Sequence, residues 1–241
     1  MYKLNDVKKT YKRGHSKVEA LRGVDLEIAD GEWLSIQGPT GHGKSTLLQI
    51  LGLLDRPTGG AVEFDGARID RLREVKATKI RARNVGFIFQ TFNLIPTLSA
   101  LENVETALVP LKMSRKERRE RAEKVLTAVG LGDRTDHLPS ELSGGQQQRV
   151  AVARALVKEP VVLLADEPTG NLDEETRDSI MELLESAWKE RKLTMVIVTH
   201  DSTVAARAQR IGHLRDGKIT VSAASEATHE NSAASEASHG K

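Results

Sequence analysis

Residues 38–46 read GPTGHGKST. Gly38, four intervening residues, then Gly43, Lys44 and Ser45 give the spacing of a phosphate-cradling loop. In that pattern backbone N–H groups face a polyphosphate, a lysine reaches its terminal phosphates and a hydroxyl meets Mg2+. The run before the loop, EWLSIQ, reads as a strand, and residues 45–54 after it read as a helix whose N-terminal dipole faces the phosphates. Strand, glycine-rich turn and helix stand in the order that an α/β nucleotide-binding fold requires, so nucleotide binding is the first expectation. His42 sits between two glycines, and two readings of it stay open. It is a tolerated side chain along the phosphates or facing solvent, since backbone groups make the cradle, or its imidazole adds a pH-dependent donor beside the nucleotide.

Upstream of the loop, YKLNDV and VDLEIAD read as short strands, the second with Val24, Leu26 and Ile28 alternating. The Asp30-Gly31 turn predicts a hairpin from that second run into EWLSIQ. Downstream, the turn cluster DRPTGG precedes the strand AVEFDG, and NVGFIF is a buried-strand run ending at Gln90. Residues 99–129 turn helical and charge-rich, with Pro110 as the expected break, and predict a helical insertion in an α/β domain. Within it RKERRERAEK, residues 115–124, reads as a solvated helix face. The helical RVAVARALV, the strand VVLLAD, the amphipathic EETRDSIMELLESAWKERK and the strand LTMVIVTH follow. Alternating strands and helices predict a mostly parallel sheet covered on both faces, behind an N-terminal antiparallel β region.

The length of 241 residues allows one large domain or two modest ones. Lys and Arg number 36 against 34 Asp and Glu, and a net charge of +2 carries no basic excess that would argue for a nucleic-acid partner. The absence of cysteine excludes disulfides and thiolate metal sites. MYKLNDVKKT lacks the apolar core of a signal peptide, and no stretch approaches the roughly 18 uninterrupted apolar residues of a membrane span, which predicts a cytosolic, soluble chain. From Ser222 the sequence SAASEATHEN repeats imperfectly as SAASEASHGK, and residues 222–241 are expected to be a disordered tail in which His229 and His239 are too sparse for a metal site.

Two further stretches carry chemistry. VVLLADEP places Asp166 at the end of a buried strand, where a carboxylate can hold Mg2+ through water opposite the Ser45 hydroxyl. Glu167 follows, placed to deprotonate a water attacking a γ-phosphate. Taken without the loop at 38–46, the acidic pair would serve equally as a helix cap and first-turn charge. LSGGQQQR, residues 142–149, opens a helix on Ser143, Gly144, Gly145 and Gln146, again gathering a hydroxyl and N–H groups at a positive helix end suited to phosphate.

GPTGHGKST, LSGGQQQR, LLADEP, GNLD and VTH, in this order, resemble the nucleotide-binding ATPase subunit of an ABC transporter, over about residues 1–221. The resemblance implies a P-loop NTPase fold of ABC ATPase type with a helical subdomain over about 91–158. Tyr11 resembles the aromatic residue that stacks on adenine, Lys44 the lysine on the β- and γ-phosphates and Ser45 the Mg2+ hydroxyl, with Pro39, Thr40, Gly41, His42, Gly43 and Thr46 completing the phosphate loop. Gln90 resembles the glutamine that touches Mg2+ and senses a membrane partner, Asp166 the metal-linked carboxylate and Glu167 the catalytic base. Asp173 resembles the aspartate of the GNLD loop and His200 the switch histidine near the γ-phosphate. Standing alone, Tyr11 is an ordinary strand-end aromatic, Gln90 a surface loop residue and His200 a histidine at a strand end.

ATP and Mg2+ are the implied ligands, and Mg-dependent ATP hydrolysis the implied reaction. The signature turn of one subunit is expected to close on the ATP of another, which implies a homodimer. Separate transmembrane permease subunits would dock it to the cytoplasmic face of the cell membrane. LDRPTGG, FNLIPTLSALENVE and ADEPTGNLD are similar to the lipoprotein-release and macrolide-export ATPases, with the cell-division ATPase of the same branch close by. A soluble ABC-type ATPase of DNA repair or translation is the alternative, and the single cassette without coiled-coil or zinc insertions speaks against it. A module that grips ATP without hydrolysing it is disfavoured by the presence of Glu167 and His200.

Overall fold

The computed structural model describes residues 1–14 and 16–224, in two compact units: residues 1–71 with those from 196 on, and residues 72–195. The first unit opens with β1 (Tyr2–Arg13) and β2 (Ser16–Ile28), paired antiparallel from Tyr2 opposite Ile28 to Arg13 opposite Ser16. β3 (Trp33–Gln37), α1 (Lys44–Leu51), β4 (Gly59–Phe64) and β5 (Ala67–Arg68) follow, and the sheet order β2-β1-β4-β5 makes an antiparallel layer. Leu21, Val24, Leu26 and Ile28 of β2 are buried with exposed or half-buried residues between them, as a one-sided strand requires. Trp33, Leu34, Ser35 and Ile36 of β3 are all buried. The expected hairpin between these two strands therefore does not form. β2 takes β1 as its partner, and the Asp30-Gly31 turn leads out of the antiparallel sheet into β3, whose continuous burial needs cover on both faces. α1 stops at Leu51, short of the expected 54, because Gly52 caps it and Leu53 turns to φ 55°.

The second unit begins with α2 (Glu74–Asn84), of which Ala77 alone is buried, and β6 (Val85–Ile88). α3 (Ala100–Glu105) and α4 (Arg115–Ala128) each start from a reciprocal capping box, Ser99 with Glu102 and Ser114 with Glu117. Pro110 lies inside the 3₁₀ segment Thr106–Leu111 between them, and the direction changes at Lys112, φ 57°. α4 buries only Ala122 and Leu126, so its basic run is a solvated face. α5 (Gly144–Leu156), β7 (Val162–Asp166), α6 (Glu174–Arg191) and the first two residues of β8 (Thr194–Val198) complete the unit, with β6 and β7 parallel. Leu101, Val104, Leu108, Leu126, Val150 and Ala153 lie in one apolar cluster that ties α3, α4 and α5 together.

From residue 196 the chain rejoins the first unit. The Thr199 amide donates to the Ile36 carbonyl at 3.1 Å, setting the end of β8 beside β3. After α7 (Ser202–Ala205), β9 (Arg210–Arg215) runs parallel to β3, and β10 (Lys218–Ala223) returns antiparallel to β9. Ser222 and Ala223 pair with Ile211 and Arg210, so the first two residues of the expected tail belong to a strand. The tail from 225 on, with His229 and His239, lies outside the described residues. Among the described residues no helix is long and apolar enough to cross a membrane.

Candidate active site

In the first unit the loop at 38–46 is pressed between two strands. Gly38 has φ 152°, and a Cβ there would lie 2.0 Å from the Leu214 carbonyl of β9. Gly43 has φ 99°, and its Cβ would lie 2.3 Å from the Ala20 carbonyl. Ala20 is where β2 bulges: pairing steps from Lys9 opposite Leu21 to Thr10 opposite Glu19 and skips it. Only glycine fits either position. α1 begins at Lys44 with no side-chain cap, so its first N–H groups remain for an anion. Lys44 is buried, and its Nζ donates to the carbonyls of Gly38 at 2.6 Å and Pro39 at 3.1 Å. Pro39, Thr40, Gly41 and Ser45 are exposed, and Thr46 is half-buried.

His42 is half-buried. Its Nδ1 accepts the Asp216 amide at 3.0 Å and lies 3.4 Å from the Asp216 carboxylate, bracing the loop against the turn between β9 and β10. An accepting Nδ1 leaves the neutral ring's hydrogen on Nε2. Tyr11 is half-buried near the end of β1, its hydroxyl donating to Asp55 Oδ2 at 2.7 Å; partial burial raises its phenol above the ordinary range. His200 is exposed just after β8, next to Thr199, whose partner Ile36 stands two residues before Gly38.

In the second unit β7 delivers Asp166, and Glu167 follows in the left-handed region at φ 48°. The Gly170 amide returns to the Glu167 carbonyl at 3.2 Å. Asn171 Nδ2 donates to the Gln90 carbonyl at 3.1 Å, and a Cβ on Gly170 would lie 3.1 Å from Gln90 Nε2. Gln90 and the turn that carries Glu167 are therefore neighbours. Ser143 caps α5: its Oγ accepts the Gln146 amide at 3.3 Å, and Gln146 Oε1 accepts the Ser143 amide at 2.9 Å. Ser143 and Gly144 are exposed. Asp173 caps α6 through the Thr176 amide and hydroxyl, at 2.9 and 2.7 Å, and these bonds hold its carboxyl below the usual range. The Thr176 methyl lies 2.5 Å from where a Gly145 Cβ would sit, so the signature turn and the Asp173 cap adjoin.

Four side chains that sequence reasoning passed over support these groups. In the second unit, buried Gln148 of α5 donates to the carbonyl of Pro168, the residue after Glu167. Arg154, also on α5, donates to the carbonyls of Asn93 at 2.5 Å and Phe92 at 2.7 Å, and burial lowers its guanidinium. Both carbonyls belong to left-handed residues just after Gln90, at φ 48° and 60°. In the first unit, Lys9 and Asp55 pair beside Tyr11. A polar residue on an otherwise apolar helix face was the one signal available for Gln148, and the sequence gives none for the other three.

The family model described as ABC transporter matches residues 21–170. The lipoprotein-releasing system ATP-binding protein LolD of Syntrophus aciditrophicus is 48% identical over 223 residues, covering 92% of this chain and all of that one. The macrolide export ATP-binding/permease protein MacB of Syntrophobacter fumaroxidans is 46% identical, over 91% of this chain and 31% of its own length. Among solved structures, the dimeric post-hydrolysis state of the ATP-binding cassette MJ0796, from Methanocaldococcus jannaschii, bound to ADP and Pi, superposes with a TM-score of 0.87 at 48% identity, over 93% of this chain and 99% of that one.

Proposed function

The chain belongs to the ABC transporter family, in the branch of the lipoprotein-release and macrolide-export ATP-binding proteins, and we propose that it is the ATP-hydrolysing subunit of such a complex. It works as a homodimer on the cytoplasmic face of the membrane, docked to separate permease subunits. The name of MacB joins ATP-binding and permease parts in one protein, and the match to 31% of that length fits a chain equivalent to the ATP-binding part. The observation that carries the reading is the phosphate loop, with its two obligatory glycines, uncapped helix start and enclosed lysine.

Binding begins when Lys44 exchanges the Gly38 and Pro39 carbonyls for the β- and γ-phosphate oxygens, joined by the free amides of α1. Tyr11 stacks on the adenine ring. Ser143 and the Gly144 and Gly145 amides of a second copy close over the γ-phosphate. Glu167 then takes a proton from a water whose oxygen attacks the γ-phosphorus, while the bond to the β–γ bridging oxygen breaks and ADP leaves with the electron pair. His200 donates to the γ-phosphate, and Gln90 orients the water beside Glu167. Ser45, Gln90 and Asp166 offer a hydroxyl, an amide oxygen and a carboxylate, the all-oxygen donor set that suits Mg2+. Bound there, Mg2+ would neutralise charge on the phosphates.

Lys44→Ala tests the reading. The variant is expected to fold, because the lysine bonds only loop carbonyls, and to lose at least about tenfold in ATP affinity by calorimetric titration, as removal of a charged hydrogen-bonding partner predicts. Unchanged ATP affinity in a folded Lys44→Ala chain would overturn it.

A further inference from the structure

Tyr11 sits in a network that stacking alone does not require. Lys9, two residues earlier on β1, is buried, and its ammonium lies over the Tyr11 ring, 4.8 Å from the centroid. The same ammonium bonds Asp55 Oδ1 at 2.5 Å and the Arg56 carbonyl at 2.7 Å. The other carboxylate oxygen, Asp55 Oδ2, accepts the Tyr11 hydroxyl at 2.7 Å. Against partial burial, which raises it, the bonds from Lys9, Tyr11 and the Arg56 amide hold the Asp55 carboxyl below the ordinary range, so it stays ionised at neutral pH. One carboxylate thus holds an ammonium and a phenol, and the Asp55 amide ties the group to α1 by donating to the Gln49 carbonyl at 3.2 Å.

We propose that Lys9 and Asp55 are positioning residues that make Tyr11 a one-faced platform for a purine base, fixed in register with the phosphate loop through the bond of Asp55 to α1. The inference rests on the nucleotide-binding reading above. A cation over one ring face leaves only the other for a base, and by drawing π-density it makes that open face a better partner for an electron-rich purine. The bond of the phenol to Asp55 holds the ring in place, so less side-chain freedom is lost when the base stacks. Register matters because the base and the triphosphate belong to one ligand, and Asp55 joins the Tyr11 ring to the helix that follows the phosphate loop.

The test is calorimetric titration of the full chain with ATP and with inorganic tripolyphosphate, which fits the loop but has no base. Tyr11→Phe keeps the ring and removes the phenol's bond to Asp55, Lys9→Met removes the cation, and Lys9→Arg restores one. Tyr11→Phe and Lys9→Met are expected to weaken ATP about fivefold while tripolyphosphate stays within about twofold of wild type, and Lys9→Arg to recover most of the ATP loss. Equal losses for both probes would mean the network only props the loop and would overturn the inference, as would wild-type ATP affinity in Tyr11→Phe and Lys9→Met. A wild-type chain that binds neither probe overturns the nucleotide reading and takes this inference with it. Where the wild-type chain binds both probes, equal losses in the variants, or none, overturn only the positioning roles.

Discussion

Glu167 occupies a backbone conformation that a non-glycine residue adopts at a cost of about 1 kcal/mol, and such positions persist where surrounding contacts dictate them. Here those contacts are the Gly170 amide on its carbonyl and the Gln148 side chain on the next one, which together aim the turn leaving β7. Glu167→Gln keeps that turn and the side chain's volume but removes the proton acceptor. It is expected to hydrolyse ATP about 100- to 1,000-fold more slowly with ATP affinity kept, and to elute as an ATP-stabilised dimer in size-exclusion chromatography. Phosphate release near the wild-type rate would remove Glu167 as the base. Lys44, Asp166 and Glu167 were legible because each stands at a fixed offset from a glycine-rich turn or a buried strand. Lys9 with Asp55 and Arg154 with Asn93 were not, since their partners lie 46 and 61 positions away and no local pattern links them. His42 was visible, but the Asp216 turn that it braces lies 174 positions away and no local pattern links the two.

α5 shows how one element serves several parts of its unit. Its N-terminus carries Ser143 and the exposed glycine turn, Gln148 one turn on reaches the Pro168 carbonyl, and Arg154 near its end holds the loop after Gln90. The guanidinium satisfies two carbonyls on consecutive left-handed residues, a conformation that Phe92 and Asn93 would not keep unaided. Arg154→Met keeps the aliphatic stem and removes both bonds. It is expected to destabilise the chain by about 2 kcal/mol in urea unfolding and to speed amide exchange over residues 91–94, with the α5 amides still protected. Unchanged exchange in that loop would show that the arginine does not hold it. Buried strands and capped helices such as β3, β7, α5 and α6 were readable from apolar runs and turn residues. α2 escaped because it buries one residue and has no apolar stripe, and the β2-to-β3 turn was misread because a turn residue pair fixes a reversal, not which strand will be its partner.

At the scale of the molecule the charges nearly cancel, so the pH dependence of stability near and above neutrality falls to individual groups whose environment differs from water. Lys158, just past α5, is such a group: burial, with the nearby Arg81 charge adding to it, pushes its ammonium from 10.5 down to about 8. Its Nζ donates to the Arg81 carbonyl at 3.0 Å, at the end of α2 where a cation is favoured, yet the lowered value means that desolvation outweighs that bond. Below pH 8 folded and unfolded chains both carry the proton, and the folded state bears the whole penalty. Between about 8 and 10.5 the folded chain has released a proton that the unfolded chain still binds, so this group adds stability as pH rises through that window. Lys158→Met loses one hydrogen bond and the penalty together. Its Tm at pH 7 is expected to rise by about 2–5 °C, and its stability to climb less steeply than wild type between pH 8 and 10. Parallel stability curves for the two chains across that range would show that the lysine is solvated in its charged form.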